Sequence, residues 1–373
     1  MTTSENTTIT LPYTHIEADF PSIEKGTLQI HAPKAEVKTV SWVDGVVEEI
    51  QDVDYKYKGC TTVDEVIAKD ANYKTTDIVD GKWTEILSDL KSGYDMFCST
   101  ETLKSFTGDL SSLTDGSRMF EITSFTEFSS DLCSLTDGTR MFYYSYGIES
   151  FDCDLSSLKT GSEMFMYCYA LESFNSDLSS LNDGYAMFYC CYRLAAFDSD
   201  VSALTDANFM FDSCSGLSTF NSTLDSIVNA ENMFYGTKLQ SFDKDLRTLE
   251  DGIGMFCNCY ELTSFNSNLA SMTIADSMFN YCTSLESFKS DLSSLTSGHM
   301  MFYQCQKLAS FNANLPELTN GYQMFLNCVL DTDSVRRIAE TINDVTSLTN
   351  GTETWADVYK TIHISIANET PSA

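Results

Sequence analysis

Histidine, proline and tryptophan are scarce in this chain, at 4, 5 and 3 residues among 373. The histidines (His15, His31, His299, His363) are scattered, and the 13 cysteines contain no Cys-x-x-Cys pair. Structural zinc sites, which need closely spaced Cys and His, are therefore excluded. Lysine and arginine total 22 against 54 aspartates and glutamates, for a formal charge of −32. A chain so short of cations repels nucleic acid and anionic membrane and leaves cationic or neutral partners. No apolar run approaches the roughly 20 residues of a spanning helix, so no membrane insertion is expected. The first twenty residues, MTTSENTTITLPYTHIEADF, lack a basic n-region and an apolar h-region. They do not read as a secretory signal. The expected location is a virion or the cytoplasm of the producing cell, and the extracellular space if a signal peptide has been removed. Nucleotide, zinc-protease and hydrolase motifs (GxxxxGK[ST], GxGxxG, HExxH, GxSxG) are missing, so the chain is not read as an enzyme and no catalytic residue is expected.

What the chain has is repetition. Met-Phe occurs eleven times, at Met96, Met119, Met141, Met164, Met187, Met210, Met233, Met255, Met278, Met301 and Met324. Eight of the intervals are 23 residues and two are 22. A fixed period in this range is the signature of a solenoid, whose coils bury their apolar faces only by stacking. Such an array lengthens by adding coils, so 373 residues do not imply several ordinary domains.

The clearest copy runs from Met164 to Ala186, MFMYCYALESFNSDLSSLNDGYA. With Met as position 0, Phe falls at 1, Cys at 4, Leu at 7, Phe at 10, Leu at 14 and 17, and Gly at 20. The position-10 column is Phe106, Phe128, Phe151, Phe174, Phe197, Phe220, Phe242, Phe265, Phe288 and Phe311. One residue type at one register means stacked side chains, about 4.7–4.9 Å from coil to coil in a parallel stack. Phenylalanine and leucine are expected to form the core, with methionine filling gaps. A short strand is expected around Phe174, which points inward while Ser173, Asn175 and Asp177 point outward. The Asn-Asp-Gly segment and the Met-Phe turn then form the return side, where a helical turn fits.

Outside the array, alternating residues Glu36–Val43 and Val46–Tyr57 around Asp44-Gly45 read as a β-hairpin. Residues 333–344 read as an amphipathic helix with Val335, Ile338, Ala339 and Ile342 as its apolar stripe and Asp333 or Ser334 as its N-cap. Ile362–Ile366 reads as a closing strand.

The run Met-Phe-x-x-Cys-x-x-Leu-x-x-Phe followed by Leu-x-x-Leu, as in Met278 to Leu295, resembles the BspA-like leucine-rich repeat family over residues 83–330. The fold expected is an α/β leucine-rich-repeat solenoid, right-handed, of about ten coils of 22–23 residues. A small β-rich N-terminal domain (1–82) precedes it for attachment or capping, and a helix-plus-strand cap (331–373) follows. The resemblance implies a non-enzymatic surface for adhesion or host recognition. A looser similarity to arrays of gut-bacterial phages points to a phage structural or receptor-binding component. Its partner would be a protein or glycan on a host cell, with other virion proteins met through residues 1–82. A secreted bacterial adhesin is the alternative, and a glycan-active enzyme the reading from a different class.

Three columns bear on chemistry. The position-4 cysteines (Cys168, Cys191, Cys214, Cys259, Cys282, Cys305, Cys328) read as buried, reduced, small apolar filler, because parallel side chains suit disulfides poorly. Position 13 carries Asp109, Asp131, Asp154, Asp177, Asp200, Asp245 and Asp291. Position 11 carries Asp152, Asn175, Asp198, Asn221, Asp243, Asn266 and Asn312. These side chains suit three roles: capping backbone N–H groups, contacting a ligand, or binding calcium. The candidate ligand-binding residues are Asp152, Asp154, Asn175, Asp177, Asp198, Asp200, Asn221, Asp243 and Asp245. No cofactor is required, calcium being the one these oxygens would suit. Tyr167, Tyr169, Tyr189, Tyr192, Tyr260 and Tyr281 form either an aromatic patch for a glycan or protein, or half-buried coil edges.

Overall fold

Two columns of phenylalanine, at positions 1 and 10 of each coil, run the length of the molecule and interlock. In the computed structural model, which describes the strand backbones between residues 7 and 52, residues 55–342 and Leu348, each ring stacks on its counterpart one coil away. Phe165 and Phe188 lie 5.6 Å apart at 3°, and Phe174 and Phe197 6.1 Å apart at 13°. The two columns meet edge to face, as at Phe174–Phe188 (4.9 Å, 75°). Offset stacks and edge contacts are the arrangements that the ring quadrupole favours. Leu171, Leu178, Leu181 and Met187 fill the remaining core and are wholly buried.

The N-terminal strands β1 (Thr7–Leu11) and β2 (Thr14–Ala18) pair antiparallel, and β3 (Lys25–Ile30), β4 (Lys38–Val43) and β5 (Val46–Asp52) form a second antiparallel sheet. The β4–β5 pairing is the hairpin expected from the sequence; its Asp44-Gly45 turn lies outside the described residues. Helices α1 (Val63–Lys69) and α2 (Tyr73–Thr76) and the short hairpin β6 (Ile78–Val79) and β7 (Lys82–Trp83) come next. This segment covers the first coil. Trp83 packs edge-on against Phe97 at 4.8 Å, Tyr73 donates its hydroxyl to the Met96 carbonyl, and Lys56 reaches the buried Asp77 at 2.6 Å.

Ten two-residue strands follow: β8 (Ser105–Phe106), β9 (Glu127–Phe128), β10 (Ser150–Phe151), β11 (Ser173–Phe174), β12 (Ala196–Phe197), β13 (Thr219–Phe220), β14 (Ser241–Phe242), β15 (Ser264–Phe265), β16 (Ser287–Phe288) and β17 (Ser310–Phe311). Neighbours that pair do so parallel and in register, Ser150 opposite Ser173 and Phe151 opposite Phe174. Phe174 is buried while Asn175 and Asp177 are exposed and Ser173 is half-buried, as the period-two pattern requires.

The return side differs from the expectation. It carries no helical turn among the described residues. Instead it is a chain of reverse turns: Met164, Met166 and Cys168 donate N–H to the carbonyls of Gly161, Glu163 and Phe165. The intervening N–H groups of Gly161, Glu163, Phe165 and Tyr167 donate to the next coil, to Asp183, Tyr185, Met187 and Tyr189, at 2.8–2.9 Å. A helix would turn these donors back on its own coil, so the ladder between coils displaces it. The price is two left-handed residues per coil, such as Glu163 (φ 54°) and Tyr167 (φ 64°). Even Ile122 is held at φ 55°, a region unfavourable for a β-branched residue. Two coils use glycine there, Gly236 and Gly254. The position-20 glycines have another reason. A Cβ at Gly116 would lie 2.8 Å from the sulfur of Met141, so the column admits nothing larger than the alanines at 207, 230 and 275.

At the far end α3 (Thr332–Thr341) closes the array. Its N-cap is Asp331, which accepts the Ser334 N–H at 2.8 Å, two residues before the start expected. Val335 and Ile338 are buried against the last coil, but Ala339 is exposed and not part of the stripe. Ser334 is also buried, because its hydroxyl accepts the Phe311 N–H at 2.8 Å and so caps the edge of β17. The strand expected at Ile362–Ile366 lies outside the described residues.

Replacing Phe174 with alanine is expected to destabilise the array by about 3–5 kcal/mol in denaturant unfolding. Asn175→Ala, one residue on, should change it by no more than about 0.5 kcal/mol. Equal effects at the two positions would show that the inward and outward faces have been exchanged.

Candidate functional site

The two acidic columns have separate jobs. At position 13 each aspartate accepts, through one carboxylate oxygen, the N–H of the residue two places on. Asp109, Asp131, Asp154, Asp177, Asp200, Asp245 and Asp291 do so at 2.8–3.1 Å, and Asn268 makes the same bond at 3.0 Å. These are Asx turns at the strand exit. Four candidate residues, Asp154, Asp177, Asp200 and Asp245, are thus backbone caps. A third column, Asp115, Asp137, Asp183, Asp206 and Asp251, does the same at position 19. In the sequence this column is hidden within the Asn-Asp-Gly turn segment, and the recurrence of aspartate at that register is the signal that marks it.

Position 11 is different. Asp152, Asn175, Asp198, Asn221 and Asp243 are exposed and project from the strand face. Carboxylate and carboxamide alternate from coil to coil, and the Asn221 amide donates to Asp198 at 2.7 Å. Alternation puts charges two coils apart, roughly 9–10 Å, which reduces their mutual repulsion. Asn175, Asp177, Asp198 and Asp200 line one shallow hollow of about 440 Å³. The other candidates continue the columns to either side of it. Among the described residues the acidic columns do not converge on three potential metal ligands. The cluster that does, Asp95, Cys98 and Glu121, is already served by a guanidinium: Arg118 contacts Asp95 at 3.2 Å and Glu121 at 2.6 Å.

That contact begins a zigzag of ion pairs on the turn side, continued by Arg140 to Glu121 (3.1 Å) and Glu163 (3.6 Å). Arg140 lies 4.1 Å over the Tyr143 ring, where the tyrosine stripe starts. Tyr143, Tyr167 and Tyr189 meet edge to face at 5.6 Å, and Tyr169 and Tyr192 stack at 5.3 Å and 4°. Tyr192, Tyr260 and Tyr281 are exposed, while Tyr167 and Tyr189 are half-buried. The tyrosines therefore serve as coil edges and leave an aromatic surface.

The cysteine column is buried, as expected, but is more than filler. Each thiol donates to a phenylalanine carbonyl: Cys168 to Phe142, Cys191 to Phe165, Cys214 to Phe188, Cys259 to Phe234, Cys282 to Phe256, Cys305 to Phe279 and Cys328 to Phe302, at 3.0–3.2 Å. Thr123, Ser145 and Thr237 take the same register and bond Phe120 or Phe234 carbonyls. The column is defined by a small donor. Burial pushes the Cys168 and Cys259 thiols up to about 12, so they are poor nucleophiles at neutral pH.

One carboxylate stands apart. Asp212 sits at position 2, in the column of Tyr143, Tyr189, Tyr235 and Tyr303, and is 8% exposed. It accepts the Ser213 hydroxyl at 2.8 Å and makes no ion pair among the described residues. Burial pushes its carboxyl up from 3.8 to about 6, against the opposing effect of that hydroxyl.

Residues 82–194, 136–253 and 231–346 match the model of the BspA type leucine rich repeat region, in six copies. Solved structures that resemble the chain include a leucine rich cell surface protein from Faecalibacterium prausnitzii, 16% identical, covering 66% of this chain and 75% of that one with a TM-score of 0.39. A leucine-rich repeat protein from Bacteroides ovatus is 16% identical, with 83% and 93% covered and a TM-score of 0.36. An internalin from Listeria monocytogenes is 12% identical, with 63% and 79% covered and a TM-score of 0.29. No curated protein matches.

Two outcomes follow from these groups. Cys214→Val removes one of the two donors to the Phe188 carbonyl, which keeps the Cys191 N–H, and should cost about 0.5–1.5 kcal/mol, whereas Cys214→Ser keeps a donor and should cost less; equal losses would make the column mere filler. For Asp212, the unfolded chain releases its proton near 3.8 and the folded chain only near 6. Between those values the folded state binds more protons, so this residue makes stability fall as pH rises. Asp212→Asn should match the parent in melting temperature at pH 4 and exceed it at pH 7. A variant less stable at pH 7 would mean that the ionised carboxylate is held by a favourable contact.

Proposed function

The chain belongs to the BspA-type leucine-rich repeat family, and from that premise and the strand face just described we propose that it is a non-catalytic recognition protein. The observation that carries this reading is the exposed position-11 ladder of Asp152, Asn175, Asp198, Asn221 and Asp243. Chemistry needs a unique constellation of groups, whereas this face offers the same groups coil after coil. Such a surface suits an extended or repetitive partner, a protein or glycan of a host cell, engaged by hydrogen bonds from several coils at once. The finer reading is a phage structural or receptor-binding component, with the N-terminal strands as its attachment to other virion proteins.

The test uses the full chain and a variant carrying Asp152→Lys, Asp198→Lys and Asp243→Lys, which leaves the Asx caps untouched. The parent is expected to bind host cells and the variant to lose at least about tenfold in affinity, since like or misplaced charge across an interface costs over 1.4 kcal/mol. Equal binding would remove the strand face from the function. Immunogold labelling of virions supports the phage reading; label confined to the bacterial surface replaces it with an adhesin.

A further inference from the structure

In the ten strands β8–β17 the ring at position 10 is phenylalanine, and one coil earlier the same register holds Trp83: β7 pairs parallel with β8, Lys82 opposite Ser105. The indole continues the core, 4.8 Å from Phe97 and 6.1 Å from Tyr57. It also brings an N–H that phenylalanine lacks. Trp83 is 6% exposed, and its Nε1 is buried with no acceptor. A buried tryptophan N–H ordinarily has one.

Trp83 lines a hollow of about 430 Å³ where its coil and the next two present their strand exits. Three carboxylates share that lining: Glu85, Asp109 and Asp131. Asp109 and Asp131 each commit one oxygen to a turn N–H at 2.9 Å. The second oxygen of each, and both oxygens of Glu85, take part in no hydrogen bond or ion pair among the described residues. Hydroxyls of Thr84, Thr107 and Ser129 lie between them, and no lining side chain is a cation. The hollow therefore holds open acceptors on three coils and one open donor.

We propose that this hollow binds one neutral pyranose unit of a glycan, whose hydroxyls donate to Glu85, Asp109 and Asp131 while one of its oxygens accepts the Trp83 indole N–H. The proposal rests on the recognition reading and deepens it, by naming a ligand class at one end of the strand face. The orphan donor separates the candidate ligands. A metal ion or an ammonium would satisfy the carboxylates but offers the indole nothing to bond. An anion would accept from the indole but is repelled by three carboxylates on a chain of charge −32. A hydroxyl does both, as donor and acceptor, and its bonds to carboxylates are of the strong, charge-assisted kind. The spread of the acids agrees: Glu85, Asp109 and Asp131 are not among the groups whose ligand atoms lie within 4.8 Å of one another. Acceptors spaced over three coils suit hydroxyls spaced around a ring. The volume falls within the roughly 300–1,000 Å³ of small-molecule sites.

The test is read at the indole itself. The chain has 3 tryptophans, so its NMR spectrum holds few indole N–H signals, and Trp83→Phe identifies the one from Trp83. The full chain is titrated at pH 7 with the methyl glycosides of glucose, galactose, mannose and N-acetylglucosamine. At least one is expected to shift the Trp83 signal to saturation. The double variant Asp109→Asn, Asp131→Asn keeps both turn caps, since Asn268 makes the same bond at 3.0 Å, but loses the open carboxylate oxygens. It should bind that glycoside at least about tenfold more weakly, the scale of one charge-assisted hydrogen bond. Asp198→Lys with Asp243→Lys, at least three coils away, should bind it as the parent does. A parent that binds host cells but moves with no glycoside loses this site and keeps the recognition reading; one that binds a glycoside but no cells does the reverse. Equal affinity of parent and double asparagine variant, or a Trp83 signal that responds to calcium chloride or methylammonium more tightly than to every glycoside, would also overturn the proposal.

Discussion

The structure depends on one contact repeated: a phenylalanine from the return turn wedged edge-on between phenylalanines of successive strands. Each ring touches its own column and the other, so no ring can be placed without its neighbours. A single coil has only two strand residues and a set of turns, too little to bury anything alone. Stability therefore belongs to the interfaces between coils. This is also why the ends are special. Trp83, Tyr73 and Tyr57 continue the herringbone past the first coil, and Val335 and Ile338 close the last.

Satisfying the backbone follows from that geometry. Coils stacked at strand spacing can exchange hydrogen bonds on every side, and they do so on the return side as well as in the strands. The bonds between coils win over any helix, at the expense of two left-handed residues in each coil. Where backbone groups point into the core or out at a bend, small polar side chains complete them. Cys, Ser and Thr at position 4 serve the phenylalanine carbonyls; Asp and Asn at positions 13 and 19 serve turn N–H groups. Much of the acidity of this chain is consequently architectural. The position-11 ladder is the part not committed to turn N–H groups, and it is the surface proposed above for a partner.

Uniformity and its interruptions carry different kinds of information. A uniform ladder offers the same weak contact many times and suits partners that are extended. An interruption changes the surface at one coil only. Asp212 is such an interruption: it differs in size and charge from Tyr189 and Tyr235 on the coils beside it, and no ion pair answers it among the described residues.

The 22–23-residue period, the inward Phe and Leu positions and the outward Asn and Asp positions were legible because stacking forces one residue type to one register. Phe174 and Asp177 could be assigned to opposite faces from alternation alone. The amphipathic helix near residue 335 was legible too, but its cap at Asp331 and the burial of Ser334 were not, because both depend on where the last strand edge lies. Nor could the sequence tell a capping aspartate from a presented one. Asp154 and Asp152 are the same residue type two positions apart, and only the turn after the strand gives one of them a backbone partner. The thiol donors and the return turns were hidden for the same reason: their hydrogen bonds join residues about one coil apart. Composition and period determined that this chain stacks and which side chains form its core. The tertiary structure decided which polar groups the stack itself consumes, because that depends on the turn that follows each strand and on the neighbouring coil, and not on the residue type alone.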